Sequence, residues 1–207
     1  MKESEVRKEV IEFCRRLYDK GHMPGIDGNI SMRVDSDRAI VTPTGVSKGR
    51  VTEDELVLMS ISGEQLKGDL KPSCEAPMHL AAFQHRPEVG AVIHAHSPNA
   101  VAWAMTHRPL DTRYTPFAHH HLGTIGMIPY ITPATAKFHS AVAEQMKCGY
   151  KAMLLASHGA MVVGTDMHDA FVTIDLLEAY CGMLIKALTL GGAYVLTGKE
   201  LDEITVG

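Results

Sequence analysis

His94 and His96 sit two residues apart in the apolar run Ala91-Val-Ile-His-Ala-His96, and His158 follows a second apolar run, at Ser157-His-Gly159. Glu75 lies upstream of both. Side chains two apart in a strand point to the same face, so the first pair can grip one ion together. Three imidazoles and a carboxylate are the ligand set of a catalytic zinc, which takes imidazole at ~2.0–2.1 Å and keeps a position open for chemistry. An H-x-H pair alone reads as two histidines on the wet side of a half-buried strand. The third histidine and the carboxylate move the reading to metal.

The elements that must carry these residues are legible from pattern. Val6, Val10, Phe13 and Leu17 recur at helical spacing over residues 4–20, with Gly21 as the stop. Pro24-Gly-Ile-Asp-Gly-Asn-Ile-Ser31 is a glycine-rich turn running into a strand. Residues 38–42 read as extended, Thr42-Pro-Thr-Gly45 as a turn, and residues 56–61 as a strand ending in a hairpin turn at Ser62-Gly-Glu64. Pro72-Ser-Cys-Glu75 reads as a helix entry with Ser73 as N-cap, and Arg86-Pro87 closes that helix. Residues 89–95 form the strand with the H-x-H pair. Residues 98–105 and 137–148 are helical, 108–133 loop-rich, and 152–156 and 160–163 strands. From Asp166 to Leu190 apolar residues occupy most of the helix circumference, which predicts a heavily buried helix stopped by Gly191-Gly192. The order implies a sheet with helices packed on it.

Composition narrows the class. The 207 residues are expected to form a single domain over 1–207. Hydrophobic residues make up 45% and charged residues 21%, the balance of a soluble globular chain. A net charge of -4 without a basic block argues against a nucleic-acid partner. No apolar run approaches the ~18 residues of a membrane span, and the charged N-terminus lacks a signal-peptide core. Cys14, Cys74, Cys148 and Cys181 are scattered without paired spacing, which points to free thiols in a reducing cytoplasm.

Five short motifs, in order and spacing, resemble the class II (zinc-dependent) aldolase family, which includes L-fuculose-phosphate aldolase and related ketose-1-phosphate aldolases. They are Gly28-Asn-Ile-Ser31, Thr42-Pro-Thr-Gly45, Pro72-Ser-Cys-Glu75, His94-Ala-His96 and His158-Gly159. The resemblance runs from the first helix to about residue 190. It implies a three-layer α/β/α fold around a mainly antiparallel sheet, and a homotetramer with active sites near subunit boundaries. It implies that His94, His96 and His158 hold one Zn2+ per chain. It also implies that Glu75 ligates the metal in the resting site and then acts as base. Gly28, Asn29, Thr44, Gly45, Ser73 and Cys74 match the family's site for the substrate phosphate. Anion binding by convergent turns and a helix start is also what backbone N–H groups favour physically. Cys74 departs from the family's usual serine, and a thiol is a poorer donor than a hydroxyl.

The implied activity is cleavage of a ketose 1-phosphate of the fuculose, deoxyribulose or methylthioribulose type into dihydroxyacetone phosphate and a short aldehyde. Methylthioribulose-1-phosphate dehydratase and sugar-phosphate 4-epimerase are alternatives on the same scaffold. The 4-epimerase branch typically carries aspartate where Glu75 stands. A non-catalytic aldolase-like scaffold would be expected to lose metal ligands, and none is lost here. The resemblance implies Tyr114 as the acid at the C4 oxygen, with a histidine of the run His119-His-His121, which otherwise reads as an exposed loop, as the substitute. The family's C-terminal tyrosine has no counterpart at Thr205-Val-Gly207, and Tyr194 reads as a packed residue. His22, His79, His85, His107, His139 and His168 read as ordinary surface or helix residues.

Overall fold

The computed structural model describes residues 1–204; Thr205–Gly207, on which the expectation about the family's C-terminal tyrosine falls, lie outside them. Among the described residues, eight strands form one sheet in the order β4-β3-β2-β1-β5-β8-β7-β6. The strands are β1 (Asn29–Arg33), β2 (Arg38–Val41), β3 (Val57–Ser60), β4 (Gln65–Lys67), β5 (Ala91–Ala95), β6 (Gly126–Ile128), β7 (Ala152–Leu155) and β8 (Gly159–Gly164). Every neighbouring pair is antiparallel except β6 and β7. Seven helices flank the sheet: α1 (Glu3–Asp19), α2 (Ala76–His85), α3 (Pro98–Ala104), α4 (Pro116–Leu122), α5 (Ala136–Met146), α6 (Met167–Thr189) and α7 (Gly198–Asp202).

Period-2 alternation sorts the strands into two cores. Ile30, Ile40, Leu58, Ile93, Leu154 and Val162 pack with α1, α3, α4 and α6 on one face. Val41, Val57, Val92, Leu155, Met161 and Val163 pack with α2 and α5 on the other. Sheet residues are thus buried on both faces, which gives the three α/β/α layers. His94 shares its parity with Val92, so it points to the α2/α5 face. Ser31 and Asn29 do the same on β1, whose register sets Asn29 opposite His94.

Several expectations are corrected. Helix α2 begins at Ala76, with Glu75 and not Ser73 at its N-cap position. The Ser73 hydroxyl accepts the Glu75 N–H at 3.2 Å, closing a turn ahead of the helix. The stretch 108–133 is not only loop: it contains α4, started by Pro116 and the Thr115 side chain on the Ala118 N–H, and the short strand β6. His119–His121 therefore lie on a helix. Tyr194 is exposed, not packed, because its hydroxyl turns outward to Glu200. No helix of the described residues is long and apolar enough to cross a membrane.

Candidate metal centre and anion cavity

The central strands β1, β5 and β8 and the start of α2 converge on one point. His94 is fully buried near the end of β5, His96 follows that strand, and His158 stands at the turn into β8. His94 Nε2 is 3.1 Å from His96 Nε2 and 3.3 Å from Glu75 Oε2, and His158 Nε2 is 3.2 Å from Glu75 Oε1. The three histidine ligand atoms all lie within 4.8 Å of one another. Two ligands at ~2.0–2.1 Å from one tetrahedral zinc stand about 3.3 Å apart. The spacing fits a metal ion.

Proton accounting strengthens the fit. His94 Nδ1 is 2.9 Å from the Ala160 carbonyl, which only accepts, so Nδ1 carries the proton and Nε2 presents a lone pair. Burial pushes His94 down to about 3, so its ring is neutral at physiological pH. Burial opposes ionisation of Glu75. The Asn29 amide, donating to Glu75 Oε2 at 2.9 Å, favours the carboxylate. Lone pairs and a carboxylate thus face one another in a buried place, an arrangement that is costly unless a cation sits between them. The Ala160 carbonyl is also the kind of outer partner that fixes a ligating imidazole.

Supporting contacts explain the local folding. Gly159 leaves room for the cluster: a Cβ there would meet the Ala95 carbonyl oxygen at 2.8 Å and the His96 ring at 2.9 Å. Gly28 has φ +73°, and a Cβ there would lie 3.0 Å from the His94 carbonyl oxygen. The His96 N–H donates to the His22 carbonyl at 3.0 Å, and the His22 ring lies 2.9 Å from the Ser97 hydroxyl and 3.4 Å from Asp175. This Ser-His-Asp relay resembles a nucleophile triad in composition, but Ser97 is fully buried, so it anchors His96 rather than meeting a substrate. His79, also fully buried, lies 2.7 Å from the Ser31 hydroxyl. His79 lies on helix α2, in keeping with its helix reading, but both it and His22 are buried rather than at the surface. Their helix and turn positions gave no sign of burial.

Gly28, Asn29, Thr44, Gly45, Ser73 and Cys74 all line one cavity that opens beside Glu75 and His96. At about 130 Å³ it is smaller than the ~300–1,000 Å³ typical of a whole-ligand pocket, so it suits one end of a ligand. Backbone bonds draw its turns together: Thr44 N–H to the Lys71 carbonyl and Ser73 N–H to the Thr42 carbonyl, both at 3.1 Å. Those two N–H groups are thereby spent. The Asn29 amide is turned to Glu75 at 2.9 Å. Asp27 and Lys48, which the motifs did not single out, line the same cavity.

Tyr114 is not among the lining residues. It packs against the core on the α1/α3/α6 side of the sheet. His119–His121 border other surface grooves, beside Leu110–Arg113 and beside Cys148–Lys151. Within one chain the structure brings neither candidate acid to the cavity. Grooves larger than the cavity exist, one of 590 Å³ along α1, but they lack convergent ligand atoms.

Residues 8–185 match the Class II Aldolase and Adducin N-terminal domain family. The chain is 35% identical to 3-oxo-tetronate 4-phosphate decarboxylase of Haemophilus influenzae, over 94% of this chain and 93% of that protein. It is 32% identical to L-fuculose phosphate aldolase of Methanococcus vannielii, over 83% and 91%. A solved structure of L-fuculose 1-phosphate aldolase superposes with a TM-score of 0.86 at 28% identity, covering 96% of this chain and 93% of that one. With this fold and a three-histidine group able to hold a metal ion, the chain belongs to the class II aldolase family of metal-dependent lyases.

Proposed function

We propose that the chain is a zinc-dependent carbon–carbon lyase that releases dihydroxyacetone phosphate and carbon dioxide from 3-oxo-tetronate 4-phosphate. The observation that carries this reading is the metal-type cluster of His94, His96, His158 and Glu75 opening onto a small cavity suited to an anion. Bound zinc would supply a Lewis acid towards the substrate's carbonyl oxygen. The cavity residues hold the phosphate and so fix the reacting carbons relative to Glu75. The bond from the carboxyl carbon to C2 breaks, carbon dioxide leaves, and the electron pair stays on C2 beside the C3 carbonyl. Glu75 then relays one solvent proton to C2.

One observation favours carbon dioxide as the co-product: likeness to the decarboxylase extends over nearly all of both chains. The second reading is aldol cleavage of a ketose 1-phosphate of the fuculose, deoxyribulose or methylthioribulose type, favoured by the likeness to the aldolase. It breaks C3–C4, moves the C4 hydroxyl proton to a base and returns a proton to C3. That base would be Tyr114 or one of His119–His121, reaching in from a neighbouring subunit of a homotetramer. The four free thiols fit a cytoplasmic setting.

The test is a panel of the keto acid phosphate and ketose 1-phosphates incubated with zinc-loaded protein and followed by carbon and phosphorus NMR. Stoichiometric carbon dioxide and dihydroxyacetone phosphate from the keto acid support the first reading. An aldehyde from a ketose phosphate, with the keto acid untouched, supports the second. Dehydration or epimerisation without dihydroxyacetone phosphate contradicts both.

A further inference from the structure

Lys48 carries a buried charge beside the cavity that the chemistry proposed for the site leaves without a role. The residue is 2% exposed, yet it lines the cavity together with Gly28, Thr44, Gly45 and Ser73. Its ammonium donates to the Ile26 carbonyl at 2.8 Å and to the Val46 carbonyl at 2.9 Å. Those carbonyls belong to the two turns that wall the cavity. An ammonium has three N–H donors, so one is left over. Lys48 forms none of the ion pairs among the described residues. Asp27 faces His96, and Glu75 faces His94 and His158. Burial lowers the Lys48 ammonium from the usual lysine range, and Asp27 and Glu75 in the same cavity offset this only from beyond ion-pair distance, so the buried cation still lacks a direct counter-charge, which is costly. An anion in the cavity would supply the missing partner.

We propose that Lys48 is a phosphate-binding residue, clamping both turns through Ile26 and Val46 and giving its third N–H to the anion. The proposal rests on reading the cavity as the phosphate site. Lysine binds phosphate as a point charge, and here the point is fixed by two carbonyls before the ligand arrives. The consequence is a preference for phosphorylated over neutral ligands.

The test uses inorganic phosphate as the probe, with zinc-loaded full-length protein and titration calorimetry. Lys48→Met keeps the length of the side chain and removes its charge. The expected result is phosphate binding by the unaltered protein, weakened about tenfold or more in the variant, with zinc content unchanged. Equal affinity in the two proteins overturns the role of Lys48 alone. Absence of phosphate binding in the unaltered protein overturns the reading of the cavity and Lys48 with it. Because the substitution also releases both turns, a second measurement needs no folded Met variant. In protein labelled with ¹⁵N-lysine, the Lys48 ammonium signal, identified by its loss in Lys48→Arg, is expected to shift in step with phosphate binding. A signal that stays in place while phosphate binds overturns the proposal.

Discussion

Gly159 is where the histidines proposed to hold the metal leave little room. A methyl group there would lie 2.8 Å from the Ala95 carbonyl oxygen, 2.9 Å from His96 Cδ2 and 3.1 Å from His94 Cε1. The φ of Gly159 lies outside the left-handed region, so alanine meets no backbone strain and the effect of Gly159→Ala isolates crowding. The carbonyl belongs to β5 in mid-sheet and cannot move cheaply, so the two rings must give way. Overpacking of this kind costs about 1–3 kcal/mol. For a chain of this size that is a fall in Tm of roughly 2–12 °C. Displaced ligands should cost more in metal than in fold: changes around first ligands typically lose ~10–100-fold in affinity. Competition with a chromogenic chelator gives the zinc affinity, and calorimetry with and without zinc gives the stability. Unchanged zinc affinity, with or without a lower Tm, would refute the claim that His94 and His96 share one ion against this glycine.

Two further outcomes follow from the same geometry. Glu75→Gln is expected to keep zinc, because three imidazoles remain. It should slow exchange of the dihydroxyacetone phosphate carbon-bound proton with deuterated water by ~10²–10⁴-fold; near-normal exchange would remove Glu75 as the proton carrier. Burial pushes His79 down to about 4, against ~6.5 when unfolded. Between those values the unfolded chain binds more protons, so stability is complete above about pH 6.5 and falls as pH drops towards 4, by about 3 kcal/mol in all. Denaturation of zinc-free protein across that window should show a flatter slope in His79→Gln; identical slopes would show that His79 does not titrate as its burial requires.

The site was far more legible than its supports, and the reason is chemical. Metal ligation demands particular residue types at particular spacings, so Glu75, His94, His96 and His158 stand out in the chain. The alternation in Ala91-Val-Ile-His-Ala95 also assigns His94 to one face of its strand by parity alone. Lys48 carries no such mark: a lone lysine after a turn reads as solvated, and only the fold buries it between the Ile26 and Val46 carbonyls. The burial of His22 and His79 is likewise a product of tertiary packing. Helix α4 was hidden because three consecutive histidines break its apolar periodicity, leaving Phe117, Ala118 and Leu122 as its inward residues. Strand β6 has three residues and pairs in parallel with a strand far along the chain, so neither length nor a hairpin turn announces it. The start of α2 moved because a serine hydroxyl closed a turn where an N-cap was expected.

X-ray absorption at the zinc edge, on protein loaded with one equivalent of zinc, tests the shared metal centre most directly. The structure predicts three imidazole nitrogens at ~2.0–2.1 Å and no sulfur at ~2.3 Å, with the imidazole signal reduced and zinc lost in His158→Ala. A sulfur shell, or an unchanged zinc environment in His158→Ala, would contradict the assignment of His94, His96 and His158 to a single ion.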